Sequence, residues 1–195
     1  MRDIIKMVVV LTVICVASAF SLAYVNNVTK APREYQLLKF VQEPSIKAVL
    51  SGYDNDPIKE LVKIPMGKDE KGREIFLNVF PAKKDGKIFA VAYAAASRGY
   101  HDLIDVMVGI DKDAKLTGVS IMTHSETPGL GARVVEPKFT SQFKGFDLSG
   151  DLNLTGKGGK VEGITGATLS STGVVNAVRQ ALEEFPKVKK EVFGS

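Results

Sequence analysis

Nineteen consecutive residues without a charge, Met7 to Val25, constrain this chain more than any other stretch of it. As a helix rising 1.5 Å per residue, the run reaches about 28 Å, close to the thickness of a bilayer's hydrocarbon layer. Only Thr12, Ser18 and Ser21 interrupt it, and backbone groups facing lipid must close their hydrogen bonds within a helix. One transmembrane span is therefore expected at 7–25, behind a short tail at 1–6. A second reading is a cleaved leader, because Ala17-Ser18-Ala19 has the small residues of a cleavage site. The apolar run continues past it through Phe20, Leu22, Ala23, Tyr24 and Val25, which favours an uncleaved anchor. Arg2 and Lys6 stand on one side and Lys30, Arg33 and Lys39 on the other, so charge bias does not decide the orientation.

The rest of the 195-residue chain is long enough for one domain with its own core. Its 45% hydrophobic and 25% charged residues are those of an ordinary globular protein. The net charge of +4 is mild and forms no dense basic stripe, so no nucleic-acid partner is expected. Lys187, Lys189 and Lys190 read as a solvated helix end. The sole cysteine, Cys15, lies inside the apolar run, which excludes an internal disulfide and a cysteine-held iron–sulfur cluster. His101 and His124 belong to no cluster with metal-ligand spacing, so no metal site is expected. Hydrolase elbows, Walker loops and Gly-x-Gly-x-x-Gly fingerprints are absent from the sequence.

Asn26 to Gln42 reads as a polar, partly helical stalk, with Tyr35, Leu38 and Val41 at helical spacing after Pro32. Glu43-Pro44-Ser45 opens a short helix through Leu50, closed by Gly52, so the stalk is expected over 26–52. Tyr53 to Gly72 reads as a loop carrying one apolar segment, Ile58 to Ile64. Four strands follow: Glu74 to Phe80, Ile88 to Ala95, Leu103 to Ile110 and Leu116 to Thr123, the last two as an antiparallel hairpin. A helix starts near Pro137 and covers Lys138 to Phe143, a Gly-rich connection passes through Gly158-Gly159, and a final helix runs from Ser171 to Phe185. The order predicts an α+β domain over 53–195, with helices packed on a largely antiparallel sheet.

The chemistry concentrates just ahead of that final helix. In Thr165-Gly166-Ala167-Thr168-Leu169-Ser170-Ser171, small and hydroxyl-bearing residues give way to Val174, Val175, Val178, Leu182 and Phe185 at helical spacing. A helix start presents unpaired N–H groups and partial positive charge, which makes this loop a candidate phosphate site. The plainer reading is an N-cap without a ligand. Upstream, Pro128-Gly129 is a turn signal, Gly131 permits close backbone approach, and Leu130 between two glycines offers an exposed apolar contact.

Two strings carry a family resemblance. Val161-Glu162-Gly163-Ile164-Thr165-Gly166-Ala167-Thr168 resembles the flavinylation signature of the FMN-binding domain family, with Glu162 where Asp is usual. His124-Ser125-Glu126-Thr127-Pro128-Gly129-Leu130-Gly131-Ala132-Arg133 is similar to the loop that accompanies this domain in G subunits of Rnf-type complexes and C subunits of sodium-pumping NADH:quinone reductases. The resemblance implies FMN esterified through its phosphate to Thr168. Thr165, Gly166, Ala167, Leu169 and Ser170 would surround it, and Thr127 and Leu130 would touch the ring. Glu126 would either hydrogen-bond the flavin or be a solvated loop charge, and Arg133 an ordinary surface charge.

By the same resemblance the chain is an electron-carrying member of a redox-driven ion translocase, without catalysis of its own. Its domain is expected on the outer face of the inner membrane. The implied partners are the other subunits, membrane lipid and a flavin-attaching transferase. A component like the C subunits of the sodium-pumping reductases, or an anchored binding or scaffold module in which Thr168 merely caps a helix, is the alternative.

Overall fold

The computed structural model describes residues 2–68, 72–148 and 152–194. Positions 69–71 of the expected loop, 149–151 of the Gly-rich connection and 195 of the expected domain lie outside the described residues, as does the side chain of Tyr35. The chain divides into two compact units, Met1–Phe40 and Val41–Ser195.

The first unit is one helix, α1, spanning Arg2–Leu37. Its Arg2–Lys30 portion is long and apolar enough to cross a membrane. Thr12 donates its hydroxyl to the Val8 carbonyl at 2.8 Å and Thr29 to Val25 at 2.7 Å, so both are satisfied within the helix. The segment read as a partly helical stalk begins within this same helix. Helix continues through Pro32, and a π-helical stretch, Leu38–Gln42, leads directly into α2, Glu43–Val49. Proline removes one N–H from the ladder, and a single lost bond does not end a helix with this many turns.

The second unit is built on a five-stranded antiparallel meander in the order β1-β2-β3-β4-β5. The strands are β1 Val62–Lys68, β2 Glu74–Lys84, β3 Lys87–Arg98, β4 Leu103–Asp111 and β5 Leu116–Thr123. β1 corrects the loop expected over 53–72. Val62, Ile64 and Met66 alternate as a strand should, but Pro65 and Gly67 interleave with them. Both residues are tolerated because β1 is an edge strand, with an irregularity between them. β2 and β3 are longer than expected, and their connection shrinks to the turn at Asp85 and Gly86. Beyond Val79 the β1 ladder ends, and the Asn55 side chain takes its place. Its amide donates to the Pro81 carbonyl at 3.0 Å and its oxygen accepts the Lys83 N–H at 2.9 Å.

Helices cover both faces. α2 lies on the face of β4 and β5 where Gly109 and Gly118 are register partners. A Cβ at Gly109 would meet the Val49 carbonyl at 2.7 Å, and one at Gly118 would meet the Val49 Cα at 3.0 Å, so the helix rests on bare backbone. The Thr117 hydroxyl secures it by donating to the Val49 carbonyl at 2.7 Å.

The opposite face carries α4, Thr168–Phe193, whose Val174, Val175, Val178, Ala181, Leu182, Phe185 and Val188 are buried against Val91, Tyr93, Ile104, Val106 and Val108. Burial pushes the Tyr93 phenol up, and its hydroxyl donates to the Ala181 carbonyl at 2.6 Å. α4 outruns the expected Phe185 end because the apolar stripe resumes after Pro186: Val188 is buried and Phe193 packs edge-on to Phe185. Between β5 and α4 come a 3-10 turn at Gly131–Val135, the short α3 at Pro137–Thr140, a second 3-10 turn at Ser141–Phe143 and an isolated parallel bridge, Leu154 to Val161.

Candidate functional site

The two motif strings meet at one end of the sheet, where β3 leaves, β4 enters and β5 leaves, and not along a sheet edge. Glycines allow the approach. A Cβ on Gly173 would lie 2.8 Å from the Arg98 carbonyl oxygen and 3.0 Å from the Gly99 Cα, so the first turns of α4 press directly on the turn after β3.

Glu126 joins these segments. It is 5% exposed. One carboxylate oxygen accepts the His101 N–H at 3.0 Å and the other accepts the Ser170 hydroxyl. Burial pushes this carboxyl up, but the Ser170 hydroxyl and the backbone N–H groups of His101 and Tyr100 outweigh it and hold the group below the ordinary carboxylate value. Gly131, read from the sequence as a point of close approach, makes that approach inside the protein: a Cβ there would lie 2.5 Å from the Ser170 Oγ and 2.6 Å from the Glu126 Oε2.

α4 begins at Thr168, about a turn before the expected Ser171. The residue ahead of it is Ala167, whose carbonyl accepts the Ser171 N–H at 3.0 Å and which has no side-chain oxygen to cap with. Thr168 is therefore not the cap, and the N–H groups of Thr168, Leu169 and Ser170 point out of the helix start without an intrahelical partner. Sequence pattern misplaces the start because Ser170 and Ser171 look like caps. Their hydroxyls are instead buried and used elsewhere. Ser171 accepts the Ile164 N–H at 3.0 Å and donates to the Ala167 carbonyl at 3.0 Å, while Ser170 donates to Glu126.

A cleft of about 510 Å³ opens over this helix start, lined by Tyr100, Glu126, Thr127, Leu130, Gly131 and residues 166–170. Its rim is apolar and accessible: Tyr100 is 63% exposed, Leu169 59% and Leu130 48%. Thr165, expected with this group, faces an adjoining groove of about 170 Å³ with Arg133, Glu136, Gln142 and Glu162. Arg133 is paired there with Glu136 at 3.0 Å, as a surface charge. Gln142 holds the backbone of Glu162 from both sides, accepting its N–H at 2.7 Å and donating to its carbonyl at 3.2 Å.

Sequence pattern singles out neither Tyr100 nor Gln142. An aromatic in the Arg98-Gly99-Tyr100-His101-Asp102 turn between two strands is the available signal for the first. Gln142 has none.

Among the described hydroxyls of residues 165–172, Thr168 alone is exposed, lines the cleft and makes no hydrogen bond. The Thr172 oxygen is buried. Gly166, at φ +78 and with Leu130 3.3 Å from where its Cβ would stand, keeps the approach to Thr168 narrow and free of side chain. The site suits a flat apolar ligand carrying an anion. Its volume is that of a small-molecule pocket, its walls are aromatic and aliphatic, and the helix-start residues whose N–H groups lack intrahelical partners line it together with Thr168.

That class of domain is also what sequence comparison finds: residues 99–183 match the FMN-binding domain family. Over 185 residues the chain is 31% identical to the G subunit of the ion-translocating oxidoreductase complex of Methanosarcina acetivorans, covering 93% of this chain and 94% of that one. It is 26% identical to the G subunit of the Na(+)-translocating ferredoxin:NAD(+) oxidoreductase complex of Acetobacterium woodii, over 97% and 95%. The chain belongs to the family of G subunits of ion-translocating oxidoreductase complexes. Among solved structures, the C subunit of the Na(+)-translocating NADH-quinone reductase of Parabacteroides distasonis has the same fold, with a TM-score of 0.57 at 22% identity over 80% of this chain and 96% of that one.

Proposed function

We propose that this chain is the FMN-carrying, electron-transferring subunit of an ion-translocating oxidoreductase complex, with the flavin held by a phosphoester on Thr168. One observation carries the attachment site: Thr168 is the exposed, unbonded hydroxyl at the open start of α4, while Ser170 and Ser171 are buried and committed. FMN, when bound, supplies one- and two-electron redox chemistry. The chain's own residues bind and orient it. The N–H groups of Leu169 and Ser170 would hold the diester, whose single negative charge would gain about 0.3–1 kcal/mol from the helix dipole alone. Tyr100, Leu130 and Leu169 offer apolar surface to a ring, and Thr127 stands beside them.

A covalent link suits a domain on the outer face of a membrane, where a dissociated cofactor would be diluted away. We place α1 as the anchor over 7–25, with 1–6 inside and the domain from 53 outside. The partners are the other subunits of the complex, membrane lipid and a flavin-attaching transferase. The relatives' shared description as members of such complexes supports the assembly. The chain carries electrons within redox-driven ion transport and has no reaction of its own.

The test is co-expression of the full chain with a flavin-attaching transferase, followed by a denaturing gel. Wild-type protein should carry yellow fluorescence through washing, and Thr168→Ala should carry none. A non-fluorescent wild-type band would leave the scaffold reading, and fluorescence surviving in Thr168→Ala would move the attachment elsewhere.

A further inference from the structure

We infer that Glu126 is the residue that holds the flavin's reduction potential low, through a buried negative charge fixed in the wall of the cleft. The inference rests on the flavin reading above and adds a role for a side chain that carries no part of the attachment.

The geometry gives the carboxylate one position. A Cβ on Gly99 would lie 2.5 Å from its Oε1 and 2.6 Å from the Ile104 side chain, and a Cβ on Gly131 would lie 2.6 Å from its Oε2, so protein fills both sides of it. Its hydrogen-bond donors, the Ser170 hydroxyl and the backbone N–H groups of His101 and Tyr100, are neutral. Among the described residues no lysine or arginine is ion-paired with it. Dipoles therefore solvate most of the charge, and the His124 imidazole, whose Nδ1 accepts the Glu126 N–H at 3.3 Å, is the titratable neighbour that also favours the charged form. Glu126 lines the same cleft as Thr168 while being almost wholly withdrawn from water, where salt screens least.

Each electron added to a ring in this cleft brings negative charge unless a proton follows it, and a fixed carboxylate opposes that charge. The start of α4 acts in the other direction, but it contributes about half a positive charge against the carboxylate's whole negative one. The wall is thus net negative even before the phosphate is counted. Ser170 modulates the effect. Its hydroxyl draws charge density from the carboxylate, so removing it sharpens the negative charge, whereas replacing the carboxylate by an amide removes it.

The two substitutions should move the potential in opposite directions, although both disturb the same hydrogen bond. Spectroelectrochemical titration of the full chain, flavin-loaded in cells, tests this in wild type, Glu126→Gln and Ser170→Ala, with gel fluorescence first establishing attachment. The expected result for Glu126→Gln is an upward shift equivalent to about tenfold in the reduced-to-oxidised ratio at fixed poise, or ~30 mV for a two-electron couple. Ser170→Ala should shift downward. Attached flavin with an unchanged potential in Glu126→Gln, or shifts of the same sign in both variants, overturns the inference and leaves the flavin reading standing. A wild type without attached flavin overturns both. If Glu126→Gln does not fold, Ser170→Ala decides alone: an unchanged or raised potential refutes the charge effect.

Discussion

Ser171 receives the Ile164 N–H on its hydroxyl oxygen at 3.0 Å, tying the segment that leads into the motif loop onto the first turn of α4. The same hydroxyl donates to the Ala167 carbonyl, so one buried serine closes the loop at both of its ends. Residues 165–167 are held as a short arch over that side chain, and the arch presents Thr168 outward. Ser171→Ala leaves the Ile164 N–H unpaired in a partly buried place, which costs about 1–3 kcal/mol. Urea unfolding should show that loss as a lower midpoint at unchanged slope. Flavin yield should fall with it, because the arch loosens.

Gly129 and Gly131 separate two kinds of glycine requirement. Gly129 sits at φ +76 with open space around its missing Cβ, and Ala there should cost roughly 1–2 kcal/mol through backbone conformation alone. Gly131 faces Ser170 and Glu126 at under 3 Å. Ala at 131 must push the carboxylate or the helix start aside, at about 1–3 kcal/mol of overpacking. The two variants can then have similar melting temperatures yet differ in gel fluorescence, with Gly129→Ala retaining flavin and Gly131→Ala losing it.

The legible parts of this molecule are those where one local rule acts alone. The long apolar helix α1 follows from an unbroken apolar run, and the β4–β5 hairpin from two β-rich runs separated by the polar turn at 111–115. β1 escapes because Pro65 and Gly67 argue against a strand unless the strand is at an edge, and edge position is a property of the sheet. The start of α4 escapes for a similar reason. Ser170 and Ser171 have the chemistry of caps, and only tertiary partners, Glu126 and Ile164, show that their hydroxyls are engaged elsewhere. Motif spacing does bring Glu126, Thr127, Leu130 and Thr168 into one cleft. It cannot separate Thr165 from them, since which groove a loop residue faces depends on the fold around the arch.

Glu126 also predicts an acid dependence of stability. Its folded-state carboxyl titrates below the ordinary 4.5, so the stabilisation it contributes is complete above that value and is lost as pH falls through the folded one. Melting temperatures of wild type and Glu126→Gln, followed from neutral pH downward, should converge in the acid range. The gap between them should be widest near neutrality, and a constant gap at every pH would contradict the assignment.

Gly173 offers the sharpest contest between two known magnitudes. Inside an α-helix, replacing Gly by Ala ordinarily stabilises by about 1 kcal/mol through propensity. Here the new methyl would stand 2.8 Å from the Arg98 carbonyl oxygen and 3.1 Å from its carbon, and both are backbone atoms at the end of a paired strand. A flexible side chain could swing away, but the end of β3 cannot move without breaking its pairing to Leu103. Overpacking of this kind costs about 1–3 kcal/mol, so Gly173→Ala should be net destabilising despite its propensity gain. The displacement should also lift the α4 start from the Tyr100 turn and widen the cleft, so hydrogen exchange at residues 99–102 should quicken in the variant. A stabilised Gly173→Ala protein would mean that α4 does not press on this turn.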